Sequence, residues 1–153
     1  MKTILGLLFV LISVTAFGQV EQYPQSDEEV NTKAINPAPK NTYKILVKNK
    51  LTAAENFEIV GRTLVENDFV IDIKDKEFMT IKTAAKNIDK TTRGLRLLFS
   101  MRDHEISITG QGTLASFSQT IRKGQGGSYL RLCFERMCDF ATKLGSDLKY
   151  VTY

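Results

Sequence analysis

Five segments of the chain alternate between hydrophobic and polar residues, which is the pattern of a β-strand with one buried face. The segments are residues 42–49, 69–74, 78–83, 95–102 and 105–109. We expect their core-facing side chains to be Tyr43, Ile45, Val47, Phe69, Ile71, Ile73, Met79, Ile81, Leu97, Phe99, Met101, Ile106 and Ile108. The polar pair Asp103-His104 predicts a tight turn between the last two strands.

Apolar residues recur at helical spacing in two further segments. The first helix is predicted from Thr52 to about Glu66, because Thr52 and Glu55 have the spacing of a capping box. Its apolar positions are Ala53, Phe57, Val60, Gly61 and Leu64. The second helix is predicted to follow Ser128 as its cap and to end at Gly145. Its apolar positions are Leu130, Cys133, Phe134, Met137, Ala141 and Leu144.

The order of elements is therefore strand, helix, four strands, helix. A helix with one apolar stripe needs a surface to cover that stripe, and alternating strands bury only one face of their sheet. We therefore predict an α+β fold in which two helices pack on one face of an antiparallel five-stranded sheet. The opposite sheet face, which we call the open face, is left to water or to a partner.

The first eighteen residues have the pattern of a secretory signal peptide. Lys2 gives a positive start, an apolar run extends from Ile4 to Val14, and the small residues Ala16 and Gly18 precede a cleavage site before Gln19. The apolar run is too short to cross a bilayer of about 30 Å. We expect a periplasmic or secreted protein with no transmembrane segment after cleavage; an uncleaved signal anchor is the alternative.

Composition divides the remaining chain into two parts. Residues 19–41 contain all three prolines and an acidic cluster at Asp27-Glu28-Glu29, which predicts a flexible tether. Residues 42–153 are predicted to form a single domain. From residue 41 onward the chain has 18 Lys and Arg against 13 Asp and Glu, so this domain is mildly basic. The excess favours acidic partners or anionic surfaces, or it is ordinary solubility charge.

The residue types that catalyse reactions or bind metals are sparse. The only histidine, His104, lies at the predicted turn with no nucleophile nearby in the sequence, so we interpret it as a polar turn residue. Cys133 and Cys138 are five residues apart on one predicted helix, so their side chains diverge and no bridge is expected. We predict no metal and no cofactor, and we favour binding over catalysis. A redox or intermolecular role for Cys138 stays open.

Two surfaces are candidates for binding. The open face is predicted to present basic residues among apolar and small ones: Lys44, Leu46, Lys48, Val70, Phe78, Thr80, Lys82, Arg96, Leu98, Ser100 and Arg102. Such a face suits an acidic peptide, an anionic glycan or a phosphorylated ligand, although a solvated face or a contact with a second copy has the same pattern.

The second surface is the glycine-rich segment from Arg122 to Ser128. Backbone amides at the start of a helix, beside Arg122 and Lys123, can hold an anion. The segment lacks the Gly-Lys-Ser/Thr of a Walker loop and does not directly follow a strand, so it is not a nucleotide fingerprint. A flexible connection is the alternative.

The element order, together with the segment Asn67–Asp72 after the first helix, resembles the TATA-box-binding-protein-like fold. In particular, it is similar to small secreted bacterial domains of unknown function with that fold. The resemblance covers roughly Thr42 to Leu144. It implies no catalytic residues, and the DNA binding of the fold's namesake does not extend to a secreted protein, so no nucleic-acid partner is expected.

The sequence thus predicts a secreted or periplasmic non-catalytic domain that binds a protein, a glycan or another anionic ligand. The binding residues would be Lys44, Lys48, Phe78, Lys82, Arg96, Leu98, Arg102, Arg122 and Lys123. One alternative is a structural subunit of an envelope assembly, with the open face buried against another subunit or a second copy. Another is a small hydrolase-like enzyme whose site the sequence does not reveal.

Overall fold

The computed structural model of the protein describes residues 30–31, 38–88, 93–114 and 117–153. These ranges contain one antiparallel sheet and two helices. The strands are β1 (Val30–Asn31), β2 (Thr42–Lys48), β3 (Ile71–Asp75), β4 (Thr80–Thr83), β5 (Lys86–Asn87), β6 (Arg93–Arg102), β7 (Glu105–Leu114), β8 (Phe117–Thr120) and β9 (Asp147–Thr152). The helices are α1 (Ala53–Glu66) and α2 (Ser128–Leu144). The sheet has the order β1-β9-β2-β7-β6-β4-β3, with β5 beside β6 and β8 beside β7.

The predicted α+β class, with two helices and an antiparallel sheet, is confirmed, but the count of five strands is wrong. The strand predicted to end at residue 109 runs on to Leu114 and pairs with β8, and β9 follows α2. The sequence pattern does not show this extension, because two glycines in it interrupt the alternation of apolar and polar residues. A Cβ at Gly110 would lie 3.0 Å from the sulfur of Met137, and one at Gly112 would lie 3.0 Å from Leu130. These glycines therefore let α2 lie close to the sheet, although they interrupt the apolar alternation.

The core lies between the two helices and one face of the sheet. Its fully buried side chains include Ile45, Leu97 and Ile108 from the sheet, Leu64 from α1 and Met137 from α2. Among the strand residues predicted to face the core, Phe69, Ile71 and Met79 are only partly buried. The buried residues of β2, β4, β6, β7 and the two helices confirm the inward side that the sequence pattern predicts for these elements.

Ile73 is the exception, and its predicted core position is wrong because its side chain is 48% exposed. The pairing of β3 with β4 shifts register between Ile71 and Ile73. Such a bulge turns the residues beyond it to the opposite face. Ile73 therefore lies opposite Lys82 on the open face, whereas Ile71 lies opposite the buried Thr83.

The helix ends follow the predictions with one difference. The capping box of α1 is present, since Glu55 N–H donates to the Thr52 hydroxyl and Thr52 N–H donates to the Glu55 carboxylate. Gly145 is the C-cap of α2, as predicted. The N-cap of α2 is Gly127 rather than Ser128. Gly127 has a φ of 96°, which suits glycine, so the chain turns into the helix before Ser128.

The predicted signal peptide at residues 1–18 lies outside the described residues, as does most of the predicted tether. The described part of that tether includes β1, which pairs with β9, and Ala38, which is buried in the core. No helix within the described ranges is both long enough and apolar enough to span a membrane.

Candidate functional site

Strand register arranges the open face in rows of directly opposed residues. The central row runs from β9 to β4 through Lys149, Leu46, Ser107, Ser100 and Thr80. On one side of it lies a row made of Asp147, Lys48, Glu105 and Arg102. On the other side lies a row made of Val151, Lys44, Thr109, Leu98, Lys82 and Ile73. Residues that share a row lie on the same face, so the predicted cluster of basic and apolar side chains is present there.

A depression of about 390 Å³ lies in the middle of the open face. Its lining residues are Lys44, Leu46, Ser100, Arg102, Glu105, Ser107 and Val151. Ser100 and Ser107 oppose each other on β6 and β7, and their short side chains leave space between the longer side chains around them. The sequence predicted Lys44 and Arg102 as binding residues but gave no reason to single out the serine pair.

The charge in this depression is predominantly positive. The only carboxylate among its lining residues, that of Glu105, forms an ion pair with the ammonium of Lys48. Lys48 therefore acts as a partner of Glu105 more than as a ligand contact. Lys44 and Arg102 supply the remaining charge, and the Lys44 ammonium lies 5.3 Å from the centre of the Tyr43 ring.

The other predicted residues of the open face lie at varying distances from the depression. Leu98, which is 44% exposed, and Lys82 oppose each other in the row beside it. Arg96 lies opposite Gln111, and its Nε is buried with no hydrogen-bond partner within the described ranges. Phe78 is not part of a strand; it lies in the turn between β3 and β4 and is 71% exposed. Val70 precedes β3 and is also exposed.

The glycine-rich segment is attached to the start of β2. Asn41 N–H donates to the Lys123 carbonyl at 2.8 Å, and Lys123 N–H donates to the Thr42 carbonyl at 2.8 Å. A hollow of about 360 Å³ lies between this segment and α2, bounded by Lys123, Gly124, Gln125, Gly127, Ser128, Arg131 and Phe134. The segment is thus fixed at one end by backbone pairing, which the sequence did not predict.

Two tyrosine rings lie between Lys44 of the open face and Arg122 of the glycine-rich segment. The rings of Tyr43 and Tyr153 lie 4.2 Å apart, and the Arg122 guanidinium lies 4.3 Å from the Tyr153 ring. Because Lys44 contacts the Tyr43 ring, Lys44 and Arg122 flank one continuous aromatic contact. Sequence reasoning missed Tyr153, because it follows β9, a strand that was not predicted. A prediction of β9 as the neighbour of β2 would have located Tyr153 beside the start of β2.

The groups with shifted pKa values lie away from the depression. Burial raises the pKa of the Cys138 thiol to about 12, an effect that the nearby charge of Lys123 opposes. Burial also raises the pKa of Tyr150. Hydrogen bonds from Thr52 lower the pKa of Glu55 at the start of α1. Cys138 is therefore a protonated thiol at neutral pH, which gives it little nucleophilic character.

His104 lies in the turn between β6 and β7, as predicted, and its side chain is exposed. Its N–H donates to the Leu51 carbonyl and its carbonyl accepts from Asn49 N–H, so its backbone fixes the turn to the loop before α1. Within the part of the chain that the structure describes, no three His, Cys, Asp or Glu side chains are grouped so that they could hold a metal ion.

Comparison of the sequence with protein-family models finds no match, and comparison with curated proteins finds none. The resemblance to the TATA-box-binding-protein-like fold stays a prediction.

Proposed function

We propose that this domain is a non-catalytic binding module that recognises an anionic partner through its open face. The observation that carries the proposal is the depression at Ser100 and Ser107, bordered by the cations of Lys44 and Arg102. In the interior of a sheet the backbone groups pair with neighbouring strands, so a partner on this face is recognised by side chains. The serine hydroxyls and the two cations are the hydrogen-bond donors that line the depression.

The two cations have complementary roles. Arg102 presents a planar guanidinium that can donate two parallel hydrogen bonds to one carboxylate or phosphate, whereas Lys44 acts as a compact charge. The pairing of Lys48 with Glu105 reduces the repulsion that this carboxylate would exert on an anion. Leu46 adds an apolar contact in the same depression.

The partner is proposed to be elongated, such as an acidic peptide or an anionic glycan chain. Lys82 and Lys149 lie on rows that reach the depression from opposite sides of the sheet. Arg96 lies on the same face as Leu98, two residues before it on β6. Arg122 extends the surface towards the glycine-rich segment through the tyrosine pair.

The predicted signal peptide supports binding in the periplasm or outside the cell. Glycans and envelope or extracellular proteins are therefore the partner classes that we propose, and a nucleic acid is not expected. Phe78, which lies in the turn between β3 and β4, is assigned only to the outer contacts of the open face. The Lys123 ammonium lies 5.8 Å from the Phe134 ring of α2, so Lys123 is not assigned to the open face.

The test is elution from immobilised heparin, a sulfated glycan, in a salt gradient. The double substitution Lys44→Gln/Arg102→Gln should lower the salt concentration at elution, because surface charges attract an anion through screened Coulomb forces. The matched control is Lys50→Gln/Arg62→Gln, which removes the same charges at exposed positions before and within α1. Thermal unfolding of each variant checks that the fold is intact.

The control should elute with the unmodified protein. Equal shifts for the two double variants would mean that net charge alone governs retention, and the assignment to the open face would then be wrong. Titration with polyglutamate in place of heparin distinguishes a general acidic polymer site from one that prefers sulfated sugars.

A second candidate function is a structural subunit of an envelope assembly. Two apolar side chains on the open face favour it, since Leu98 is 44% and Ile73 is 48% exposed in the same row. An assembly would bury both residues against another subunit.

A further inference from the structure

A separate cavity of about 280 Å³ lies on the helix side of the sheet, where the end of α1, β5 and α2 meet. We call it the Asn67 pocket; it is lined by Asn67, Phe69, Lys86, Asn87, Ile88, Phe140 and Lys143. Arg136 and Asp139 complete the lining, and they form an ion pair with each other at 3.9 Å, so the carboxylate of Asp139 has its own partner. Lys86 pairs with Leu95, which is fully buried in the core, so Lys86 lies on the face that the helices cover. This pocket is therefore distinct from the depression on the open face.

The floor of the Asn67 pocket is apolar and well packed. The Phe69 ring meets the Phe140 ring edge-on, with the ring centres 5.6 Å apart. Phe140 is only 3% exposed and also contacts Phe99 in the core, at 5.4 Å between ring centres. Phe69 and Ile88, which are partly buried, supply the apolar surface of this floor, and the Lys86 ammonium lies 4.8 Å from the centre of the Phe69 ring. A floor held by core contacts keeps its shape when an apolar group packs against it.

Two ammonium groups from different elements converge on one residue at the rim. Lys86 Nζ donates to the Asn67 carbonyl at 2.6 Å, and Lys143 Nζ donates to Asn67 Oδ1. The Asn67 amide nitrogen donates to the Thr63 carbonyl at 2.8 Å, which fixes the orientation that presents Oδ1 to Lys143. Lys86 bonds the backbone carbonyl of Asn67 and Lys143 bonds its side chain, so two like charges lie beside one neutral residue. Like charges repel each other, and a bound anion relieves that repulsion.

The end of α1 attracts the ammonium groups of Lys86 and Lys143, and both keep N–H donors for a ligand. Asn67 is the C-cap of α1, and the carboxyl end of a helix attracts positive charge. Each ammonium has three N–H donors, and its bond to Asn67 uses one of them. The Asp68 carboxylate lies 4.0 Å from the Lys86 ammonium, and its side chain is 94% exposed, so water screens this ion pair.

We propose that the Asn67 pocket binds a small amphiphilic carboxylate, with its apolar body against Phe69 and Ile88 and its carboxylate between Lys86 and Lys143. A cavity of roughly 150 Å³ accommodates a benzene molecule, so this pocket has room for one ring and a carboxylate. The ligand differs in size from the elongated partner of the open face, and the two sites lie on opposite sides of the sheet.

The test is a nuclear magnetic resonance titration of the ¹⁵N-labelled protein with phenylacetate and, separately, with the neutral isostere 2-phenylacetamide. Phenylacetate should shift the amide signals of Asn67, Phe69, Asn87 and Phe140 in a saturable way. The amide should bind roughly tenfold more weakly, because it lacks the charge that hydrogen-bonds to the two ammonium groups. This comparison requires no substitution, so it does not depend on whether a variant folds.

Two double variants test whether binding of phenylacetate requires the charges of Lys86 and Lys143. Lys86→Met/Lys143→Met should reduce the affinity for phenylacetate roughly tenfold or more. Lys50→Met/Lys76→Met, which removes two exposed lysines that line neither the Asn67 pocket nor the depression, should leave the affinity unchanged. Equal affinity for the acid and the amide, no saturable shift, or shifts confined to residues such as Ser100 and Ser107 would each overturn the proposal. None of these results would affect the heparin test of the open face.

Discussion

Leu97 and Leu98 are neighbours on β6 with opposite surroundings. Leu97 is fully buried under the helices, whereas Leu98 is 44% exposed on the open face. Leu97→Ala should lower the free energy of unfolding by about 2–4 kcal/mol, because it leaves a cavity in the core. Leu98→Ala should change the free energy of unfolding little in the monomer, since the removed atoms already contact water. Urea unfolding of both variants, followed by circular dichroism, measures the two values.

Leu98→Ala is the control for Leu97→Ala, because both substitutions remove the same atoms from adjacent residues of one strand. Comparable losses at the two positions would show that the sheet is covered on both faces. The proposed binding surface would then not be accessible in the isolated domain.

The apolar side chains along the sequence predicted most of the buried residues. They did not predict contacts between residues that are far apart in the sequence. Asn56 is fully buried in α1, where its amide nitrogen donates to the Arg102 carbonyl and its oxygen accepts from Asn49. No local pattern indicates this residue, because its backbone partner lies on β6. Ile73 was misplaced for a related reason, since the bulge in β3 is defined only by its pairing with β4.

At the scale of elements, the extension of β7 depends on the space that glycine leaves beneath α2. A side chain at Gly110 would begin 3.0 Å from both Ile121 and Met137, which are fully buried. Gly110→Val should therefore lower the free energy of unfolding by about 1–3 kcal/mol, as overpacking of a core does. The matched control is Gly126→Val, because a Cβ at Gly126 meets nothing within 4 Å.

Thermal unfolding of the two valine variants measures the difference. A loss at Gly126 as large as that at Gly110 would indicate a general cost of valine in this chain rather than a clash with α2. The same glycines explain why the sequence pattern ended the strand at residue 109: the alternation that marks a strand requires side chains, and glycine has none.

The candidate site was predictable only where one strand defines it. Lys44 and Arg102 follow from the alternation within β2 and β6, and both line the depression. The depression itself depends on Ser107 lying opposite Ser100, which is a property of pairing between strands. Tyr153 and Arg122 come together only because β9 lies beside β2 and the glycine-rich segment is bonded to the start of β2.

For the molecule as a whole, the open face decides between the two proposed functions. Its apolar side chains are separated by charge, since Lys82 lies between Leu98 and Ile73 in their row. A stable interface between subunits needs a contiguous apolar core, which isolated residues do not provide. A face that binds an anionic partner instead needs its cations accessible to solvent.

We therefore expect residues 19–153 to be monomeric in size-exclusion chromatography with light scattering, at both low and moderate salt. Repulsion between the basic domains opposes association at low salt, and salt reduces that repulsion without creating an apolar contact. An oligomer that persists at both salt concentrations would contradict this expectation and favour the envelope-assembly function. Leu98→Glu then locates the contact: if it dissociates the oligomer, the open face is the interface, because a buried unpaired carboxylate opposes association.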